Sequence, residues 1–342
     1  MIRLGFDVYS VRAFHWKAMQ LIDYAARLRL DTIQISSTGD YESLEPQYLN
    51  KVRSYAFSQG VKLEAGTGCI CPTSSSYKPE SKDPVAYISE GLRVAHAVGA
   101  TSMRCFLGSR PDRFENGPIE KHIESTIKVF RAVRSEAQDL GVKIALENHN
   151  GDLQAREVRT IIEESGKDFV GANLDTGNPM ILAEDPMVTL EVLGPYVVTT
   201  HIRDSVVYEH PRGCAFQWVA LGDGVIDWRA FFAKFMEVCP NAPAQLEIIT
   251  GRPPQVVPYL EADFWKAFPH ASAAEFARFV ALVKRGRPFE KFMVIEDGVK
   301  PLPPEYAAAL REQQRIDLER SLEFAKRNLG LGARWTEDAD HR

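Results

Sequence analysis

The stretch Val142-Lys143-Ile144-Ala145-Leu146-Glu147-Asn148-His149 sets a short, almost wholly apolar run directly before three polar residues. A run that is apolar on both faces reads as a strand covered on both sides, as in a parallel sheet packed between helices. Its neighbours agree. Upstream, Ile119, Ile123, Ile127, Phe130, Val133 and Ala137 recur every three or four residues. That spacing predicts a helix over 119–139, bounded by the turn Asn116-Gly117-Pro118 and by Gly141. Downstream, a second helical pattern occupies 155–165, so strand and helix alternate around the quoted stretch.

The alternation extends outward in both directions. Strands are predicted at 2–7, 31–36, 61–65, 101–106, 142–147, 170–174, 196–201 and 243–249. Helices are predicted near 16–29, 46–59, 84–98, 119–139, 155–165, 186–193, 227–238 and 273–284. Eight such units over residues 1–285 come close to the ~31 residues per unit of a barrel of about 250 residues. The expected fold is therefore α/β, a closed (β/α)8 TIM barrel. An open doubly wound sheet would need a glycine-rich phosphate turn after its first strand, and Val8-Tyr9-Ser10-Val11-Arg12 is not one. Beyond 285 the composition changes. Arg285-Gly286-Arg287-Pro288 and Lys300-Pro301-Leu302-Pro303-Pro304 punctuate a connector, and a charged helix runs from Glu305 to Asn328 before Gly330. Residues 286–342 are thus expected to form a C-terminal helical extension. The stripe Tyr306, Leu310, Leu318, Leu322, Ala325, Leu329 packs on the barrel or forms a subunit contact or lid.

The composition limits the function. The 342 residues are 45% hydrophobic with a formal charge of −5, enough for a large core and without the basic patch that nucleic acid requires. No apolar run reaches the ~20 residues of a membrane span. The start, Ile2-Arg3-Leu4-Gly5-Phe6-Asp7-Val8, reads as a strand because a charge interrupts its apolar stretch. Five cysteines without a C-x-x-C pair fit free thiols in a reducing cytoplasm.

In the second half of the chain each apolar run stops at a metal-ligand side chain. Strand five ends at Glu147, strand six at Asp175, strand seven at His201 and strand eight at Glu247. In a parallel barrel all carboxyl ends share one rim, so these residues converge although 28, 26 and 46 positions separate them. The longest gap holds an inserted loop, Arg203 to Asp227, of the kind that carries function. Three carboxylates and one imidazole, without thiolate, suit one divalent ion, Mn²⁺ first and Mg²⁺ or Co²⁺ next. The alternative for Asp175 is a cap on the turn Thr176-Gly177-Asn178-Pro179.

The series Leu146-Glu147-Asn148-His149, Leu174-Asp175-Thr176-Gly177, His201-Ile202-Arg203-Asp204 and Leu246-Glu247 resembles the xylose isomerase-like TIM barrels, the superfamily of sugar isomerases and epimerases, inosose dehydratases and endonuclease IV. Leu221-Gly222-Asp223-Gly224 resembles that family's G-[ED]-G loop. The resemblance covers residues 1–285 and implies that Glu147, Asp175, His201 and Glu247 hold one divalent ion, with Glu147 and Glu247 doubling as acid and base. Two departures stand out. Many epimerase-like members have L-D-T-G-H where this chain has Asn178, and the earlier strand ends offer Glu64 and Arg104 instead of the histidines of endonuclease IV.

An ion chelating a hydroxyl and its neighbouring carbonyl makes the adjacent C–H acidic, and a carboxylate can then remove that proton. Proton return gives isomerisation or epimerisation of a keto-sugar; loss of a β-substituent gives elimination, as in inosose dehydratases or lyases of 3-oxo C-glycosides. A sugar-binding barrel without turnover would not need two glutamates. His149 is expected to face the mouth as a substrate contact or proton relay. Arg203, Asn178, Arg104 and Glu64 are the remaining candidate substrate contacts. The competing readings are an Arg203–Asp204 salt bridge and a Glu64–Arg104 pair. Asp204 is a candidate to orient His201. His210, Trp218 and Arg252 are placed on loops over a sugar ring. His15, His122, His270 and His341 carry no assigned role. The small-molecule sugar is the expected partner, with a homo-oligomer or a small partner subunit left open.

Overall fold

The computed structural model describes residues 1–78, 83–296 and 301–334, so Lys300 and His341 lie outside the described residues. Its strands are β1 (Leu4–Asp7), β2 (Thr32–Ile35), β3 (Lys62–Cys69), β4 (Ser102–Phe106), β5 (Lys143–Glu147), β6 (Val170–Asp175), β7 (Val197–His201), β8 (Asp204–His210), β9 (Gly213–Val219), β10 (Ala244–Leu246) and β11 (Gln255–Val257). The strands β1 to β7 pair in parallel in chain order, and β10 pairs with β1. The bridge Ile202–Leu246 joins β7 to β10 and closes the circle. These eight are the strands expected from the sequence, and helices fill the intervals between them: an α/β TIM barrel.

Alternation along the strands sorts side chains into two shells. Phe6, Ile33, Leu63, Met103, Ile144, Leu174 and Leu246 are buried in the apolar layer beneath the helices. The opposite set points into the lumen and is polar: Gln34, Glu64, Arg104, Glu147, Asn173, Asp175, Thr199, His201 and Gln245. Barrel interiors are usually filled by layers of branched aliphatic residues, so this lumen is specialised along its whole depth.

Three local expectations are corrected. The predicted helix over 119–139 is two segments, Ile119–Ala132 and Arg134–Leu140, broken at Val133, whose φ of −104° and ψ of 8° are not helical. The regular pairing of the eighth barrel strand stops at Leu246, leaving Glu247 just beyond it. The insertion after β7 is mostly a hairpin: β8 and β9 are antiparallel, from Asp204 opposite Val219 to His210 opposite Gly213, and β11 adds to β9.

The helix Pro304–Leu329 lies against the short helical turn Val8–Phe14, where the Ala13 amide donates to Gln314 Oε1 at 2.9 Å. Its Leu318, Leu322 and Ala325 belong to the same apolar core as the barrel. The chain before this helix is fastened at the barrel mouth, where Glu296 pairs with Arg12 at 2.9 Å and Arg252 at 3.4 Å. The chain after it is fastened at the floor, where the Gly332 amide donates to Ile2 O and Asp31 accepts from the amides of Ala333 and Arg334. All five cysteines are free and buried, and no described helix is long and apolar enough to cross a membrane.

Candidate functional site

Strand register brings the four expected ligands together. Asp175 lies opposite His201 across β6 and β7, and Glu147 lies on the neighbouring β5. His201 Nδ1 is 3.4 Å from Glu147 Oε1, 3.5 Å from Glu247 Oε2 and 3.9 Å from Asp175 Oδ2. One ligand atom from each of the four lies within 4.8 Å of all the others, and all four residues are buried. Ligand atoms ~2.0–2.2 Å from a shared ion stand at most about 4.4 Å apart, so the cluster needs only a slight contraction to hold one.

Two further features fit a divalent cation. Among the described residues, His201 Nδ1 is buried without a hydrogen-bond partner, an arrangement costly to maintain unless something else satisfies it. The innermost carboxylates also outnumber the guanidiniums beside them: Asp7, Glu147, Asp175 and Glu247 crowd around His201 with Arg104 and Arg203 as their arginine partners, so a cation can take the place of the proton that these carboxylates favour on the ring.

The carboxylates differ in their surroundings. Arg104 pairs with Glu147 at 2.5 Å, and Asn178 Nδ2 donates to Glu147 Oε1 at 3.2 Å. Burial pushes the Glu147 pKa up, but Arg104 and then His201 outweigh it and hold the carboxyl well below its ordinary range. Glu247 has Arg203 Nη1 at 2.9 Å, yet burial dominates and raises its pKa to about 7. Burial also raises Asp175, against Arg203. Burial alone would lower His201, but Glu247, Glu147 and Asp7 raise it well above the usual imidazole value.

Asp175 caps the turn that follows it and also faces the cluster. Its Oδ1 accepts from the amides of Gly177 and Asn178, each at 2.7 Å, while Oδ2 faces His201. Arg203 pairs with Asp175 and Glu247, not with Asp204. Its guanidinium lies 4.6 Å above the Trp218 ring, and the Trp218 indole donates to Gly177 O at 3.2 Å. A Cβ on Gly177 would stand 2.7 Å from the Arg203 side chain, so glycine is needed there for Arg203 to reach the cluster. Trp218 therefore sits in β9 beneath an arginine and is not free to cover a sugar. His210 lies at the hairpin turn, and Arg252 faces Glu296.

Two other expectations give way to different pairings. Asp204 does not touch His201: its carboxylate gathers the amides of Gly222 and Gly224 and the Trp228 indole, organising the Gly222-Asp223-Gly224 loop. A Cβ on Gly224 would come within 2.0 Å of Asp204 Oδ1. Burial outweighs these donors and raises the Asp204 pKa to about 6. Glu64 does not pair with Arg104; it accepts from Thr199 and Gln34 inside the barrel. It also borders a cavity of about 650 Å³ lined by Arg3, Thr32, Lys62 and Thr101, at the strands' amino ends.

His149 stacks on Phe106 with ring centroids 3.9 Å apart, and its Nδ1 lies 2.7 Å from Gly108 O. A carbonyl only accepts, so Nδ1 carries the proton and Nε2 keeps a lone pair. Burial, helped by Arg104 and Arg203, lowers the His149 pKa to about 4, so the ring is neutral at physiological pH. Sequence reasoning missed Asp7 and Gln34, which meet the far nitrogen of His201. Asp7 Oδ2 is 3.4 Å from Nε2, and Gln34 Oε1 is in hydrogen-bond contact with it. The available signal was the polar residue at every second place in Thr32-Ile33-Gln34-Ile35.

Comparison with known proteins agrees with this architecture. The profile described as xylose isomerase-like TIM barrel matches residues 22–262, and the chain belongs to that family. A curated relative, 3-oxo-isoapionate decarboxylase of Pectobacterium atrosepticum, is 22% identical over 233 residues, 65% of this chain and 77% of the relative. Among solved structures, L-ribulose 3-epimerase matches at a TM-score of 0.59 with 16% identity, over 96% of this chain and 97% of its own. The IOLI protein with a bound zinc atom matches at 0.55 with 16% identity, over 82% and 96%.

Proposed function

We propose that this xylose isomerase-like barrel is a divalent-metal-dependent sugar isomerase or epimerase that moves a proton next to a keto-sugar carbonyl. Glu147, Asp175, His201 and Glu247 hold the ion, Mn²⁺ by preference with Mg²⁺ or Co²⁺ as substitutes. When bound, the ion supplies Lewis acidity toward a chelated hydroxy-ketone. The observation that carries the reading is the pair Glu147 and Glu247. They come from strands on different sides of the cluster, and their environments drive their proton affinities apart. Such a split assigns base to one carboxyl and acid to the other. The ionised carboxylate takes the proton from the carbon beside the carbonyl, and the protonated carboxyl returns one to the opposite face, inverting that carbon. Return to the neighbouring carbon instead exchanges ketose and aldose. His149, neutral and with a free Nε2, holds a substrate hydroxyl, while Asn178 and Arg104 keep Glu147 oriented. The protein works in the cytoplasm on a small sugar, and the helix Pro304–Leu329 of the 286–342 extension serves as a wall of the 1–285 barrel.

Two buried guanidiniums beside the cluster, and the similarity to a decarboxylase, favour a second reading as a lyase. There the same electron-rich intermediate forms or decays by loss of a group, and Arg203 or Arg104 meets an anionic substrate oxygen.

The test incubates Mn²⁺-loaded protein with a panel of ketoses and 3-oxo-glycosides in D₂O. Deuterium beside the carbonyl in a sugar of unchanged formula supports the isomerase or epimerase. An unsaturated product, released aglycone or released CO₂ supports the lyase. No exchange and no product across the panel contradicts both and favours a binding protein.

A further inference from the structure

One nitrogen of His201 faces the cluster, and the other points down the lumen to Gln34. The proton on an imidazole sits where its partner can accept it, so the orientation of the Gln34 amide decides which nitrogen is left to bind a cation. That orientation is over-determined. Gln34 Nε2 lies 3.2 Å from Glu64 Oε2, 3.2 Å from Thr199 Oγ1 and 3.4 Å from Asn173 Oδ1. The Thr199 hydroxyl spends its own proton on Glu64, so its oxygen is available to accept from Gln34. Reversing the amide would set its oxygen against a carboxylate and its NH₂ against His201. With the amide held this way, Gln34 Oε1 can only accept, Nε2 of His201 must be protonated, and the neutral ring turns the Nδ1 lone pair toward Glu147, Asp175 and Glu247.

We propose that Gln34, clamped by Glu64 and Thr199, is the positioning residue that fixes His201 with its proton on Nε2 and thereby sets the affinity of the site for a divalent cation. The proposal rests on the metal reading above. It also gives Glu64 a role exerted through the barrel's interior, from the floor side, in place of a contact with substrate in the mouth.

The test measures Mn²⁺ binding to chelator-stripped protein by calorimetric titration. Losing the outer partner of a metal-binding histidine typically weakens affinity ~10–100-fold, and that loss is expected for Gln34→Met. Gln34→Glu combined with Glu64→Gln keeps an acceptor for Nε2–H and remakes the clamp with donor and acceptor exchanged, so the pair is expected to restore binding, which a purely space-filling role would not predict. Thr199→Val spares Gln34 but removes one oxygen that holds its amide, and a smaller loss is expected. A Gln34→Met protein that melts like the parent and binds Mn²⁺ equally well overturns the proposal. If that variant does not fold, unchanged binding by Thr199→Val does so instead. Failure of the unaltered protein to bind Mn²⁺ contradicts the metal reading itself, so the two failures are distinguishable.

Discussion

The two halves of the barrel contribute differently to one site. Strands β5, β6 and β7 end in Glu147, Asp175 and His201, and Glu247 follows β10; together these four form the buried group that could hold a metal ion. Strands β1 to β4 supply Asp7, Gln34, Glu64 and Arg104, and these touch either the ligands or the groups that hold them. Under the proposed function the first set bears the chemistry and the second sets its charge and orientation. The difference teaches that such a site would extend below the barrel rim, since the groups that touch it come from the opposite strands of the lumen.

Substitution in the ligand half is the strongest way to break this division. Glu147→Gln and Glu247→Gln are each expected to slow deuterium exchange by about 10²–10⁴-fold, the usual contribution of a positioned acid or base, and to weaken metal retention. Exchange at the parental rate would remove that glutamate from the mechanism.

Arg203 is neither ligand nor support strand, and it sharpens the comparison. Removing one partner of a buried ion pair typically costs about 3–5 kcal/mol, so Arg203→Met should cost metal-stripped protein that order of stability in chemical denaturation. Added Mn²⁺ should recover part of the loss, because the stranded charges on Asp175 and Glu247 then have another partner. A variant as stable as the parent without metal would show that the guanidinium is not needed to balance them.

Acidity gives a third test. The raised pKa of His201 means that its cluster-facing nitrogen holds a proton in the metal-free site. Binding a cation there must expel it, so affinity rises with pH, by about tenfold per unit for one proton displaced. Mn²⁺ titrations between pH 5.5 and 8 should show this trend with proton release into the buffer; a flat profile would contradict the assigned protonation. The smallest effect is expected at the hairpin turn. His210→Ala should leave exchange unchanged and shift stability by less than ~0.5 kcal/mol, as for ordinary surface sites. A large loss of exchange would return the hairpin tip to the substrate.

The legibility of the sequence follows the same division. The four clustered residues are visible because each terminates an apolar run, and a polar residue at the end of a doubly covered strand stands out. The eight strands and most helices were legible for the same reason, through apolar spacing. Gln34 and Asp7 were not, because their importance depends on which strands become neighbours around the closed barrel. Even so, polar residues at alternate places in β2 and in Ala244-Gln245-Leu246-Glu247 already departed from the all-apolar pattern of buried parallel strands. The hairpin β8–β9 was read as loop because strand pairing is a non-local property. Asp204 is a candidate to orient His201 because a ligating imidazole usually has a carboxylate partner, but the chain turns it toward the Gly222-Asp223-Gly224 loop.

The central claim is most directly tested by a crystal of the protein soaked in Mn²⁺ and measured for anomalous scattering. One peak enclosed by Glu147, Asp175, His201 Nδ1 and Glu247 is predicted, with Gln34 on the far nitrogen of the same ring. A fully soaked crystal with no peak there, or with its only peak elsewhere, would contradict the account.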